Sequence, residues 1–314
     1  MRRIGFVDHP VFREHRTGAG HPENPNRLVA IEKHLDEIGM SARLIPAEAP
    51  EIDLQRLFQV HREGYVRDVL NFCRAGDGYL PSMETEVGPA TAEAALRAAG
   101  GCINAVDKVL DGTLDSAFAA VRPPGHHATH NIALGFCLFN NIAVTAHHLL
   151  EKGLSRILIL DWDLHHGNGT QAAFYGDPRV LFISMHQRGL YPAGSGSDHE
   201  RGEGDGEGYT WNIPLLPGTG SEEILRIIRD RITPRIQEFQ PEFILISAGF
   251  DGHRDDLLGN LAWEESTYAD ATRMVRDWAK TFAQDRVVSI LEGGYNLTAL
   301  PLCVEAHLEV LLET

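Results

Sequence analysis

The sequence predicts an α/β protein built on a parallel β-sheet covered by helices on both faces, and three observations carry that prediction. From residue 116 onward, short apolar runs alternate with longer segments whose apolar residues recur at helical spacing, the signature of repeated strand–helix units. The run 157–160 is aliphatic throughout, as a strand buried on both faces is. Polar residues of catalytic type come after the apolar runs rather than before them, and ligands in open parallel sheets bind beyond the carboxyl ends of the strands.

Taken in order, residues 4–7 form a short first strand, followed by a loop carrying His9, His15 and His21. The loose spacing of these histidines fits a surface loop better than a ligand set. In His21-Pro-Glu-Asn-Pro-Asn-Arg27 the two prolines exclude a helix before Asn26. Leu28, Ile31, Leu35 and Ile38 then set a helix over 26–38, with Gly39 as its stop. Helices over 62–74 and 89–110 come next, the second Ala-rich and interrupted by Gly100-Gly101, a pair that lets another element pack closely. The stretch 76–88 between them is a loop. After Gly112 come strand 116–121, helix 139–152, strand 156–163, helix 168–175, strand 180–186, helix 221–239, strand 243–249, helix 267–283, strand 287–291 and helix 300–312. The Gly-rich, acidic stretch 194–208 is a loop insert whose carboxylates would repel phosphate. No repeat, low-complexity tract or linker interrupts the rhythm, so residues 1–314 read as a single domain.

Composition narrows the function classes. With 314 residues and 43% hydrophobic content, a sizeable core is available. A formal net charge of −16 argues against a nucleic-acid partner, because phosphate backbones are bound by clustered Lys and Arg. An acidic surface suits a cationic substrate, or simply solubility. Cys73, Cys102, Cys137 and Cys303 are widely spaced and form no Cys-x-x-Cys pair, which indicates neither a disulfide framework nor a thiolate zinc site. The first residues are basic but reach Asp8 and His9 before any adequate apolar region, and no segment has about 18 uninterrupted apolar residues. The chain reads as cytoplasmic, with no membrane contact.

Chemistry gathers where the strands end. In an extended segment residues two apart point to one side, so Asp161, Asp163 and His165 share a face while Trp162 and Leu164 turn to the other. Charge at the end of a buried strand needs a partner, and that face can hold a cation. The other strands run into His126-His127, Ser184-Met185-His186, Asp251 and Glu292-Gly-Gly-Tyr295. Two carboxylates and a neutral imidazole, Asp163, His165 and Asp251, make a three-ligand zinc site with a position left open for water or substrate. Such a site can polarise a carbonyl and activate water, as amide hydrolysis requires. His126 and His127, fixed by a Pro-Pro-Gly frame, then serve as proton carriers. Tyr295, freed by two glycines, either reaches a developing oxyanion or is a buried structural tyrosine.

These residues also carry a resemblance. Arg122-Pro-Pro-Gly-His-His-Ala128, Gly135-Phe-Cys-Leu-Phe-Asn-Asn141, Asp161-Trp-Asp-Leu-His-His-Gly-Asn-Gly169, Ser247-Ala-Gly-Phe-Asp251 and Leu291-Glu-Gly-Gly-Tyr-Asn296 resemble the signature blocks of the histone deacetylase superfamily, in order and spacing, from about His21 to the C-terminus. The likeness is nearest to class II enzymes and bacterial deacetylase-like amidohydrolases, because Asn168 stands where class I enzymes place an aspartate. The resemblance implies the arginase/deacetylase fold, a central parallel sheet of about eight strands between helices. It implies a zinc-dependent deacylase that hydrolyses the amide of an acylated lysine, in a peptide or protein, or of an acylated small amine, releasing a carboxylate such as acetate. By motif position Asp163, His165 and Asp251 bind Zn²⁺, His127 is the general base, and His126 is its electrostatic partner or acid. Asp161 orients His126, Asn168 orients His127, and Tyr295 donates to the oxyanion. An amide in place of a carboxylate should leave His127 with a lower pKa than in class I relatives.

The resemblance further implies a narrow tunnel, with Phe136 and Tyr191 as wall aromatics, Gly135 at the floor and Leu258 at the rim. Polyamine-specific relatives carry a glutamate at that rim, so Leu258 weakens a polyamine assignment. Structural potassium is expected at two sites, the first formed by Asp161, Asp163, His165, Ser184 and Met185, the second by Phe174, Asp177, Val180 and Tyr209. Two other readings compete. An arginase-like di-manganese ureohydrolase shares the fold but needs further carboxylate ligands, and a non-enzymatic acyl-lysine binding module would not need Tyr295. The oligomeric state is left open.

Overall fold

The computed structural model describes residues 2–76, 78–80 and 85–314. The chain opens with β1 (Ile4–Val7), a single helical turn α1 (Val11–Glu14) and α2 (Asn26–Glu37). It continues through β2 (Ile45–Ala47), the short α3 (Leu54–Leu57), α4 (Glu63–Ala75), two short antiparallel strands β3 (Gly78–Tyr79) and β4 (Glu86–Val87), and α5 (Thr91–Leu110). The remainder alternates as expected: β5 (Ser116–Ala119), α6 (Asn141–Glu151), β6 (Ile157–Asp161), α7 (Asn168–Phe174), β7 (Val180–Gln187), β8 (Thr210–Leu215), α8 (Ser221–Ile227), α9 (Thr233–Phe239), β9 (Phe243–Ala248), α10 (Glu265–Phe282), β10 (Val287–Leu291) and α11 (Ala299–Leu312). No helix among the described residues is long and apolar enough to cross a membrane.

The main sheet has eight strands in the order β2-β1-β5-β10-β9-β6-β7-β8, all parallel. Its central strands are buried along their whole length, which is why they read as unbroken apolar runs. The register aligns Ala119, Ile290, Ser247, Asp161, Ser184 and Asn212 in one row near the carboxyl edge. Loops leaving that row are thereby brought side by side although long stretches of sequence separate them.

The differences from the sequence reading have local causes. Strands β2 and β8 were not anticipated, and both contain a proline, Pro46 and Pro214. They are the two edges of the sheet, the positions where a missing N–H is tolerated. The helix expected over 221–239 is one rod whose middle, Ile228–Ile232, widens into a π turn directly before Pro234, whose ring clashes with a regular turn ahead of it. The expected loop 76–88 includes residues 77 and 81–84, which lie outside the described residues; its remainder carries β3 and β4. Helix α5 runs unbroken through Gly100-Gly101, where a side chain would collide with Pro50 and Ile52 on one side and Val7 and Ala49 on the other. His15 is not on a surface loop: it is buried, with Nδ1 2.8 Å from Thr91 Oγ1 and Nε2 3.7 Å from Glu23.

Beneath the site the core is aromatic. The rings of Phe118, Trp162 and Phe250 surround His307, which is wholly buried. Its two nitrogens lie 2.7 Å from Thr272 Oγ1 and 2.9 Å from Ser289 Oγ, so the neutral ring is satisfied, and burial pushes its pKa down to about 3. The unfolded chain therefore takes up this proton below about pH 6.5 while the folded chain does so only near pH 3. The contribution of the neutral ring to stability is complete above about pH 6.5 and is lost as pH falls, with a slope of at most about 1.4 kcal/mol per pH unit. His307→Gln should flatten the loss of unfolding free energy between about pH 6 and 4 by roughly that slope, as measured by denaturant titrations across the range. An unchanged slope would show that His307 titrates alike in both states.

Candidate active site

Strand β6 ends at Asp161, two residues sooner than expected, and the backbone bends immediately after it. Strand alternation therefore does not place Asp163 and His165 on the face of Asp161. Two successive side-chain turns do so instead: Asp161 Oδ1 accepts the Asp163 N–H at 3.1 Å, and Asp163 Oδ1 accepts the His165 N–H at 2.8 Å. Trp162 turns to the opposite side, edge-on to Tyr268 and His307.

Neighbouring β9 delivers Asp251. His165 Nδ1 lies 3.1 Å from both Asp163 Oδ1 and Asp251 Oδ2, and one ligand atom from each of the three residues falls within 4.8 Å of the others. The second oxygens are held by backbone, Asp251 Oδ1 by the Leu164 N–H at 2.8 Å and Asp163 Oδ2 by the Gly293 N–H at 2.7 Å. Gly293 must be glycine, because a Cβ there would lie 2.6 Å from Asp163 Oδ2 and even closer to Asp251 Oδ2. All three side chains are buried. Burial, then the field of Asp163, pushes Asp251 up to about 7. Burial opposes the charged form of His165, yet its hydrogen bonds to the two aspartates push it up to about 10. Facing carboxylates in a low-dielectric interior thus demand a compensating positive charge, and oxygen and imidazole donors suit a divalent cation.

His126 and His127 stand beside this trio with rings 4.0 Å apart. Their partners match the expectation: His126 Nδ1 is 3.0 Å from Asp161 Oδ2, and His127 Nδ1 is 2.8 Å from Asn168 Oδ1. The environments split their titration. Burial opposes charge on His126, but Asp161 and Asp163 overcome it and push the ring up to about 10. Burial and the neighbouring His126 and His165 hold His127 well below the ordinary histidine value. The Asn168 hydrogen bond works weakly upward, against burial and the neighbouring imidazoles.

Tyr295 leaves β10 through the glycine pair, its ring 5.1 Å beneath the Arg27 guanidinium carbon and edge-on to Phe136 at 6.2 Å. Burial lifts its phenol well above the usual range, so it remains a hydrogen-bond donor at any assay pH. A cavity of about 300 Å³ is lined by His127, His165 and Tyr295 together with Gly135, Phe136, Tyr191 and Leu258, the residues expected to form a tunnel, and by Leu190, which was not anticipated. Gly135 lies against His127 and Tyr191. A wider hollow of about 420 Å³ beside α4, between Tyr65, Phe72 and Ile132, is lined by none of the metal-ligating or imidazole groups, and chemistry rather than size identifies the site.

The residues expected around the first monovalent ion converge, since Asp161 pairs with Ser184 between β6 and β7 and Met185 is next along β7. Those of the second cluster where α7 passes into β7: the Asp177 N–H bonds Phe174 O at 3.0 Å, the Val180 N–H bonds Asp177 O at 3.3 Å, and the Phe182 N–H bonds Tyr209 O at 2.9 Å. The Asp177 carboxylate itself is engaged by Arg179.

Several buried charges that shape the site escaped the sequence reading. Glu292 Oε2 accepts the N–H groups of Gly125 and His126 at 2.7 and 3.2 Å and so fixes the turn carrying both histidines. Arg122 grips Glu23 with two nitrogens and the Phe12 carbonyl with a third. Arg27 joins Glu23 at 3.1 Å to the carbonyls of Glu292 and Gly294 at 2.5 and 2.7 Å. Their only signal was charge inside the motifs His21–Arg27, Arg122–Ala128 and Leu291–Asn296.

Comparison with known proteins places this geometry. The pattern of the histone deacetylase domain matches residues 21–311. A probable deacetylase of Archaeoglobus fulgidus is 44% identical over 300 residues, which are 95% of this chain and 83% of that protein. A histone deacetylase-like amidohydrolase of Pseudomonas aeruginosa is 38% identical over 308 residues, 98% of this chain and 79% of that one. Among solved structures, the HDA15 HD domain superposes with a TM-score of 0.94 at 36% identity, covering 99% of this chain and 88% of that chain.

If Asp163, His165 and Asp251 bind a cation together, removing one donor should release it. Calorimetric titration of the metal-stripped protein with Zn²⁺ or Co²⁺ should give one tight site per chain, and Asp251→Ala should abolish it while far-UV dichroism is unchanged. Stoichiometric binding by the variant would remove Asp251 from the site.

Proposed function

The chain belongs to the histone deacetylase family, and from that premise we propose that it is a zinc-dependent deacylase, hydrolysing the amide of an acylated lysine or a similar acylated primary amine to release a carboxylate such as acetate. One observation carries the reading: two adjacent imidazoles, one held by a carboxylate and the other by an amide, stand at a buried Asp-His-Asp trio and share a largely apolar cavity with a tyrosine.

Held by Asp163, His165 and Asp251, a zinc ion would supply Lewis acidity to the substrate carbonyl and to the attacking water. The chain's own groups do the rest. His127 donates its Nδ1–H to Asn168 Oδ1, which leaves Nε2 with a free lone pair; a ring kept neutral chiefly by burial, with His126 beside it, can take the proton of the water there. His126, cationic between Asp161 and Asp163, stabilises negative charge as it builds and has a proton to offer the departing amine. Tyr295 donates to the oxygen that becomes negative, an interaction worth more in the transition state than in the ground state. Phe136 and Tyr191 flank the aliphatic stem of the substrate, with Gly135 at the floor. The apolar Leu258 at the rim offers no partner to a second ammonium, which favours an acyl-lysine over an acetylpolyamine. Potassium at the two expected sites would stiffen the loops after β6 and before β7.

Turnover against acetyl-lysine peptides, acetylpolyamines and longer acyl-lysines, with zinc present, tests the assignment; a hydroxamate on an aliphatic linker should compete with the preferred substrate. Strictly non-competitive inhibition would count against an acyl-lysine channel. Tyr295→Phe keeps the ring and removes only the donor, so the variant should fold, bind zinc and substrate, and lose about 10²–10³-fold in kcat, roughly 2.7–4 kcal/mol. Turnover near that of the wild type would make Tyr295 a packing residue.

A further inference from the structure

The segment 292–296, which carries Tyr295, has no regular structure and is held from two sides. On one side Arg27 takes the carbonyls of Glu292 and Gly294, and Asp163 takes the N–H of Gly293. On the other side stands Asp256, in the irregular loop beyond Asp251. Asp256 Oδ2 accepts the N–H of Tyr295 itself at 2.7 Å and of Asn296 at 3.2 Å. Asp256 Oδ1 accepts the N–H of Leu258, the rim residue, at 3.0 Å. A second tie between the same two loops, Asn296 Nδ2 to Asp255 O at 2.7 Å, lies beyond Tyr295 and holds a side chain rather than its backbone.

We propose that Asp256 is a positioning residue for the reaction, a carboxylate clamp that fixes the backbone of the oxyanion-donating Tyr295 and the rim of the substrate channel in one register. The proposal rests on the role assigned to Tyr295 above. The chemistry of the clamp is specific. A carboxylate presents about four lone-pair sites on two oxygens, and here three N–H groups from two loops use them. An amide has only one acceptor oxygen, and its NH₂ group would face an N–H on one of the two arms. The phenol ring is steered by Arg27 and Phe136, but the point from which it projects is set by the Tyr295 N–H, and a displacement of about 1 Å at a reacting group can cost about 10²-fold in rate. Leu258 is tied to the same carboxylate, so the width of the channel and the placement of the donor cannot drift independently.

A merely structural role would lower stability and leave the effect on turnover independent of Tyr295. The test is a double-mutant cycle of Asp256→Ala and Tyr295→Phe on the zinc-loaded protein, with kcat, KM, zinc content and Tm read for each member. The expected result is a loss of about 10–10²-fold in kcat for Asp256→Ala with one zinc retained per chain, shrinking to under about threefold in the Tyr295→Phe background because the group it acts through is gone. Equal losses in both backgrounds, or no loss in the wild-type background while Tyr295→Phe is impaired, would overturn the clamp and leave the role of Tyr295 standing. Tyr295→Phe turning over like the wild type would overturn both. Should Asp256→Ala fail to fold or to hold zinc, the same cycle on the isosteric Asp256→Asn decides: a loss that depends on Tyr295 supports the clamp, and an additive loss refutes it.

Discussion

The architecture depends on burying negative charge at the carboxyl edge of the sheet and matching it there. Asp161, Asp163, Asp251, Glu23 and Glu292 are all removed from solvent, and the aspartates and Glu23 each lie against a histidine or an arginine. Glu23 lies between Arg122 and Arg27, whose fields overcome the effect of burial and keep it ionised; Asp161 lies against His126. Removing one member of a buried pair leaves an uncompensated charge and costs about 3–5 kcal/mol, so the members of each pair are interdependent. Arg27 shows how far one such contact reaches: its guanidinium joins Glu23, near the start of the chain, to the carbonyls on either side of Gly293, and its central carbon lies over the Tyr295 ring.

The same charges give the site its chemical asymmetry. His126 and His127 are adjacent in sequence and 4.0 Å apart as rings, yet one is held cationic and the other neutral. The division arises because burial opposes charge on both rings, and the carboxylates of Asp161 and Asp163 outweigh it at His126 but not at His127. Groups whose surroundings drive their pKa values apart can act as base and as acid or electrostatic stabiliser at one pH. The apolar walls contributed by Phe136, Tyr191 and Leu258 keep the dielectric low, which strengthens each of these interactions. Likeness to deacetylases and amidohydrolases across nearly the whole chain agrees with a site of this kind.

What the sequence determined by itself is the part written in short-range pattern. Unbroken apolar runs marked the central strands, helical periodicity marked the covering helices, and Asp161, Asp163 and His165 declared a charged strand end. The pattern failed where a strand was short, at an edge and broken by proline, as in β2 and β8, because such strands need little apolar character and owe their pairing to a neighbour. Only the tertiary structure decided that β9 lies against β6, bringing Asp251 to His165; that the histidine-bearing turn rests on Glu292; and that Asp256 holds the backbone of Tyr295. It also decided which partner each of the two imidazoles meets, Asp161 at His126 and Asn168 at His127. The reason is common to all of these: burial and the fields of groups distant in sequence set them, and neither quantity exists until the chain has closed on itself.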